Sequence, residues 1–312
     1  MKIFVAGATG VLGRRYVELM RDRGHLVLAL ARSPENEATI AELGGRSRRA
    51  HIAEPDSLAR AAEGARVIVH AATSIPRRTR LRPQDFETND RLRREGTRAL
   101  AEAAARVGAG RLVLQSIVWV ARPPDGAPFA ESSPPHPDAV TRSALDAEEI
   151  AMEAAQRHGF EATVLRCGWF YGSDAYHTRR MGKLVRHRLM PIIGRGDTVL
   201  SMLHLDDAAE AFAVATETGA SGLWHVVDER PAMVAQLLNG LARRLGARPP
   251  RRIPVWLARV LIGEYAVEMF TTDMRTSSAP FQERTGWTPR YPSIEEGLDQ
   301  VVAAWREEGF VR

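Results

Sequence analysis

Residues 3–13, IFVAGATGVLG, decide how the rest of the chain is read. Ile3, Phe4 and Val5 form a short apolar run suited to a strand buried in a parallel sheet. Gly7, Gly10 and Gly13 follow at the spacing that turns a strand tightly into a helix, whose first N–H groups can face a pyrophosphate. Thr9, Val11 and Leu12 lie within that turn and Arg14 directly after it, so residues 7 and 9–14 are read as cofactor-binding. Glycines at this spacing also occur in ordinary turns. Here they open the helical pattern Tyr16, Val17, Leu19 and Met20 and lead past Gly24 to a second apolar run at 26–31, which is the context a dinucleotide site requires.

Outward from this stretch the chain keeps a βαβ rhythm. Helical patterns at 35–43 and 56–64 alternate with strand-like runs at 46–52 and 67–71. A Pro- and Arg-containing loop at 73–86 precedes a helix at 88–107 and a strand at 111–120. After a Pro-rich loop at 123–137, a helix at 139–158 leads to a strand at 163–166. Six strands alternating with helices predict an α/β fold, a Rossmann-like doubly wound parallel sheet. Beyond Gly172 the order changes: helices are expected at 181–188, 205–216 and 233–245 and a strand at 224–227, with Pro249, Pro250 and Pro254 as breaks. This gives a dinucleotide-binding domain over 1–172 and a smaller C-terminal substrate-binding lobe over 173–312, interleaved with the Rossmann core around 197–230.

The end of the second strand selects the nucleotide. An acidic residue there commonly accepts hydrogen bonds from the adenosine ribose, whereas this chain has Ala31, Arg32 and Ser33. An arginine and a hydroxyl suit a 2′-phosphate, so NADP(H) is preferred and NAD(H) is the alternative.

Composition narrows the class further. The chain has 312 residues, 45% of them hydrophobic, and a net charge of +5 from 43 Lys plus Arg against 38 Asp plus Glu. No long basic tract resembles a nucleic-acid arm, and Arg77, Arg78 and Arg80 read as a solvated loop, so nucleic acid is not an expected partner. Cys167 is the one cysteine, which excludes an intramolecular disulfide and a cysteine-rich metal centre. His51, His136 and His158 do not complete a metal set with it, and no metal is expected. The sequence has no signal-like start and no charge-free stretch of transmembrane length, so a cytoplasmic location and no membrane partner are expected. Glu148 and Glu149 read as the exposed face of their helix.

Several stretches in order resemble the extended short-chain dehydrogenase/reductase family, in its NAD(P)-dependent epimerase/dehydratase branch. They are the turn at 7–13, His70-Ala71-Ala72, the run at 111–116 ending in Ser116, the run at 165–172 ending in Tyr171-Gly172, His204-Leu205-Asp206-Asp207-Ala208, and Gly286-Trp287-Thr288-Pro289. The resemblance implies that Ala71 and Ala72 lie beside the cofactor, that Arg166 approaches the cleft, that His204 and Asp206 join the two lobes, and that long helices build a homodimer. Asp206 can equally cap its helix, with His204 packed beneath it.

Members of that family carry a catalytic Ser or Thr, and a Tyr followed four residues later by a Lys that tunes it. Ser116 matches the first position, as a group beside both cofactor and substrate oxygen. Val140 and Ala144 stand where the Tyr and Lys would be, and no tyrosine of the chain has a lysine four residues on. Proton transfer therefore needs another group, and Tyr171, Tyr176 and His177, expected at the cleft mouth, are the candidates. The leading reading is an atypical NADP(H)-binding reductase or epimerase-like enzyme acting on a small hydroxylated or carbonyl substrate. The alternatives are a non-redox cyclase, isomerase or lyase with a structural nucleotide, and a non-catalytic NADP(H)-dependent sensor or scaffold.

Overall fold

The structure, a computed structural model, describes residues 1–78 and 82–311; Arg80 of the loop patch lies outside them. Seven parallel strands form the central sheet: β1 (Lys2–Ala6), β2 (Leu26–Ala31), β3 (Arg46–Arg49), β4 (Val67–His70), β5 (Arg111–Ile117), β6 (Glu161–Cys167) and, entering late in the chain, Gly222–Val226. In space they run β3-β2-β1-β4-β5-β6 and then the Gly222–Val226 strand. Ile3, Phe4, Val5 and Ala6 are all fully buried, because β1 is covered on both faces. Strand alternation sends Ile3 and Val5 to a core with Tyr16, Val17 and Phe212, and Phe4 and Ala6 to a second core with Leu58, Leu100 and Ala151.

Helices α1 (Val11–Asp22), α2 (Pro34–Glu42), α3 (Pro55–Ala61), α4 (Glu87–Arg91), α5 (Thr97–Val107) and α6 (Arg142–His158) connect the strands up to β6. The helix expected at 88–107 is thus divided: residues Leu92–Gly96 make a wider turn with π-type hydrogen bonding between α4 and α5. The strand expected to reach residue 120 stops at Ile117, and α6 begins three residues later than expected. Asp138 is the reason: its Oδ1 accepts the Val140 and Thr141 N–H groups, both at 2.8 Å, and the Thr141 hydroxyl, holding a turn before the helix.

Beyond β6 come β7 (Trp169–Tyr171), α7 (Tyr176–Arg186), β8 (Ile192–Ile193), β9 (Val199–Leu200), β10 (Met202–His204), α8 (Leu205–Thr218), β11 (the Gly222–Val226 strand), β12 (Ala232–Met233) and α9 (Val234–Arg244). Then β13 (Arg252–Ile253), α10 (Val255–Ile262), α11 (Glu264–Thr271), α12 (Ala279–Thr285) and α13 (Ile294–Glu307) fill a region where the prolines at 249–254 had suggested only breaks. Ile294, Leu298, Val301, Val302 and Trp305 put one apolar face of α13 into a third core with Tyr171, Leu237 and Leu241. Among the described residues no helix is long and apolar enough to cross a membrane.

Candidate functional site

The chain leaves β1 for β2 on one side and returns to place β4 on the other, so strand order reverses between β1 and β4 and opens a crevice at their C-terminal ends. Gly7 turns the chain there with φ +98°; a Cβ on it would stand 2.5 Å from the Ala71 carbonyl carbon and the Ala72 nitrogen. A Cβ on Gly13 would run into the Gly7 carbonyl oxygen. Gly10 N–H closes the turn on the Gly7 carbonyl at 3.0 Å, and α1 then starts with no side-chain cap and no acid in its first turn. Its leading N–H groups and positive end are left to a ligand, and this cradle fits a pyrophosphate. Thr9, Val11 and Leu12 build the same turn, with Leu12 anchored in the core.

Arg32, at the end of β2, is exposed and has no ion pair or hydrogen bond among the described residues. The Ser33 hydroxyl caps α2, accepting the Asn36 N–H at 3.4 Å. Arg14 pairs with Asp174 at 2.6 Å, and Arg15 links Asp174 to Asp206, 2.6 Å from the latter.

Ser116 is in register with Arg166 of β6 but faces the interior, 2% exposed. Its hydroxyl donates to Glu148 Oε1, and Arg166 holds the same carboxylate through Nε at 2.9 Å and Nη2 at 2.6 Å. Glu148 is therefore not on an exposed face. Ala144, Glu148, Ala151 and Ala155 form the stripe of α6 turned toward the sheet, and the carboxylate is buried with its guanidinium. Beside them, Arg166 Nη1 and His225 Nε2 on the next strand have no hydrogen-bond partner among the described residues.

Val140 and Ala144 are buried, Ala144 against Val120 and Leu145, so both positions are apolar packing. A cation reaches them from elsewhere, a feature missed in the sequence. Arg93, in the wide turn after α4, places Nη1 3.4 Å from the Val140 carbonyl and 3.3 Å from the Ser143 hydroxyl. His70 ties that turn to β4: its Nε2–H meets the Leu92 carbonyl at 3.2 Å while Nδ1 accepts the Ala72 N–H at 3.4 Å. Burial holds His70 neutral, its pKa down to about 4.

The three proton-transfer candidates do not converge. Tyr171 is interior, 1% exposed, with its hydroxyl 3.0 Å from Asp228 Oδ2, so it does not open on a cleft mouth. Tyr176 is exposed and donates to the Arg77 carbonyl at 3.4 Å under the Arg77 guanidinium. His177 gives its Nε2–H to the Phe170 carbonyl at 2.5 Å, beside Trp169. His204, not Asp206, caps α8: its Nδ1 accepts the Asp206 N–H at 3.2 Å and its Nε2 meets Gln300 of α13 at 3.1 Å.

Burial, against the hydrogen bonds from Tyr171 and the His204 N–H, pushes the Asp228 carboxyl up to about 8. A raised folded value means that this group's stabilising contribution is complete below the unfolded carboxylate value of about 4 and is lost as pH rises through about 8. Asp228→Asn keeps a hydrogen-bond acceptor toward the His204 N–H and cannot ionise. Unfolding by urea at pH 5, 6, 7 and 8 should therefore show a slope shallower than wild type by up to about 1.4 kcal/mol per pH unit; identical slopes would place the ionisation elsewhere.

Among the described residues no group of His, Cys, Asp and Glu could hold a metal ion. The profile of the NAD dependent epimerase/dehydratase family matches residues 3–226. The chain is 36% identical to a 3-diazoavenalumate denitrifying reductase from a Streptomyces species, covering 96% of this chain and 99% of that one. It is 27% identical to a ceramide reductase of Caulobacter vibrioides, over 99% and 96% of the two chains. In fold it is similar to the dTDP-glucose 4,6-dehydratase of Streptomyces venezuelae solved with NAD and TYD bound, with a TM-score of 0.79 at 22% identity over 100% and 99% of the chains. By the match over its sheet and cradle, and by a relative aligned along nearly its whole length, the chain belongs to the NAD dependent epimerase/dehydratase family.

Proposed function

We propose that the protein is an NADP(H)-dependent reductase that removes the diazo group of a carboxylic acid. The observation that carries this reading is the apolar, buried pair Val140 and Ala144 at the positions of the family's proton-transfer residues. Reduction of a carbonyl creates an alkoxide that must be protonated, the task of a tyrosine tuned by lysine. A nicotinamide held in the crevice would supply hydride, and hydride added to a diazonium, R–N2+, gives R–H and N2 with atoms and charge balanced and no proton drawn from the protein. Epimerisation and ketone reduction both need the acid–base group that these positions lack. The near full-length relative, a 3-diazoavenalumate denitrifying reductase, supports the same reaction class.

In this reading residues 7 and 9–13 hold the pyrophosphate, Ala71 and Ala72 line the crevice, and the unpaired Arg32 receives the 2′-phosphate. Ser116, bound to Glu148, acts as a positioning residue. With an arenediazonium carboxylate and NADPH, the protein should release N2 and oxidise NADPH in equal amounts, while simple ketones are not reduced. Arg32→Ala should weaken NADPH binding about 10–100-fold, the worth of a charge-assisted contact, and leave NADH binding unchanged. Ketone turnover without loss of the diazo acid would sink the reaction assignment; equal losses for both nucleotides would remove Arg32 from the 2′-phosphate.

A further inference from the structure

We infer that Arg93 and Arg122, with the Tyr265 hydroxyl beside them, form a binding site for a carboxylate of the substrate. Arg93 is 7% exposed yet forms no ion pair; among the described residues its contacts are the Val140 carbonyl and the Ser143 hydroxyl, both longer than 3.2 Å. Asp90 acts on its charge from a distance, but a buried guanidinium without a direct ion pair is costly, and a bound anion lowers that cost.

Three neighbouring carboxylates are already engaged. Asp90 accepts the Ser143 hydroxyl at 2.6 Å, Asp138 accepts Val140 and Thr141, and Glu148 is held by Arg166. Arg122, in the loop after β5, has a buried Nη1 with no partner. Tyr265 of α11 packs edge-on against Phe86 just before α4, with ring centroids 6.4 Å apart. Its hydroxyl lies within the field of both arginines and of Asp138 and Glu268. Three separate segments thus bring two guanidiniums within the electrostatic reach of the Tyr265 hydroxyl, Arg93 lying against Val140 and Ser143 at the start of α6. Arginine forks recognise a planar carboxylate by paired N–H donors.

This inference rests on the reductase reading for the identity of the substrate, but its test does not. Calorimetric titration of the protein, with and without NADP+, with cinnamate and with cinnamamide is the experiment. The acid should bind at least about tenfold more tightly than the amide, as expected when a charged acceptor is exchanged for a neutral one. Arg122→Gln and Arg93→Gln should each reduce that preference to threefold or less, and Tyr265→Phe should weaken the acid more than the amide. Should Arg93→Gln fail to fold, the less buried Arg122→Gln decides. Equal binding of acid and amide by the wild type, or a preference that survives Arg122→Gln, overturns the site. Acid-selective binding without consumption of a diazo acid would leave this site standing and sink the proposed reaction.

Discussion

Glu148→Ala is expected to lower folding stability by about 3–5 kcal/mol, the range for removing one member of a buried ion pair. The carboxylate accepts the Ser116 hydroxyl and two Arg166 N–H groups at a point where each side chain of the pair is 4% exposed. Without it Arg166 stays charged and buried, with Nη1 already lacking a hydrogen-bond partner among the described residues. Ser116→Ala removes one donor and leaves the ion pair intact, so it should cost only about 1 kcal/mol. The contrast separates the charge from the hydroxyl. Glu148→Leu combined with Arg166→Met should recover part of the loss, because an apolar pair has no desolvation to offset. Guanidinium unfolding midpoints of wild type and the three variants provide the measurement. A loss below about 1 kcal/mol in Glu148→Ala would mean that water reaches Arg166 and that the pair is not sealed.

The same carboxylate shows what the sequence conveyed and where it fell short. A glycine turn is a local device: Gly7 and Gly13 must be glycine because backbone passes within contact distance, and that requirement is written in nearly adjacent letters. The βαβ order around it follows from apolar runs and fixes the neighbours of β1 through the handedness of crossovers. Glu148 carries no such local mark. Its helix reads equally well with the glutamate outside, and only the small residues at 144, 151 and 155, on the same stripe, point inward. Arg93 was less legible still, since its surroundings come from segments around 86, 140 and 265 and from a wide turn that periodicity reads as continuous helix. The surroundings of Tyr171 and His177 were illegible for the opposite reason. Titratable residues at the end of a strand look alike in sequence whether they face a cleft, an interior aspartate or a backbone carbonyl. The helices after Pro254 were within reach, because Ile294, Leu298, Val301 and Trp305 repeat at helical spacing.

Gly7→Ala should reduce NADPH affinity by about 100-fold or more, roughly 3 kcal/mol. Two costs combine. The residue sits at φ +98°, a conformation in which an alanine is strained by about 1–3 kcal/mol. Its Cβ would also stand 2.5 Å from the Ala71 carbonyl carbon and 2.6 Å from the Ala71 oxygen, backbone atoms that cannot rotate aside. Relief requires either the turn or the end of β4 to move, and Ala71 is fixed to β1 by its N–H on the Ala6 carbonyl at 2.8 Å. Moving the turn displaces the uncapped first N–H groups of α1 from the pyrophosphate position, so strain in the apo protein becomes lost binding. Two further glycines calibrate the result. Gly24→Ala has a similar φ of +78° with open space around the new methyl, and should cost stability without changing NADPH affinity. Gly10→Ala has an ordinary φ of −75° and one contact at 3.3 Å to the Gly7 carbonyl, so a loss of a few-fold is expected. Fluorescence titration of NADPH into the three variants ranks them Gly7, Gly10, Gly24. Binding by Gly7→Ala within threefold of wild type would show that the turn yields without moving α1, and would detach the nucleotide from the stretch on which the fold was read.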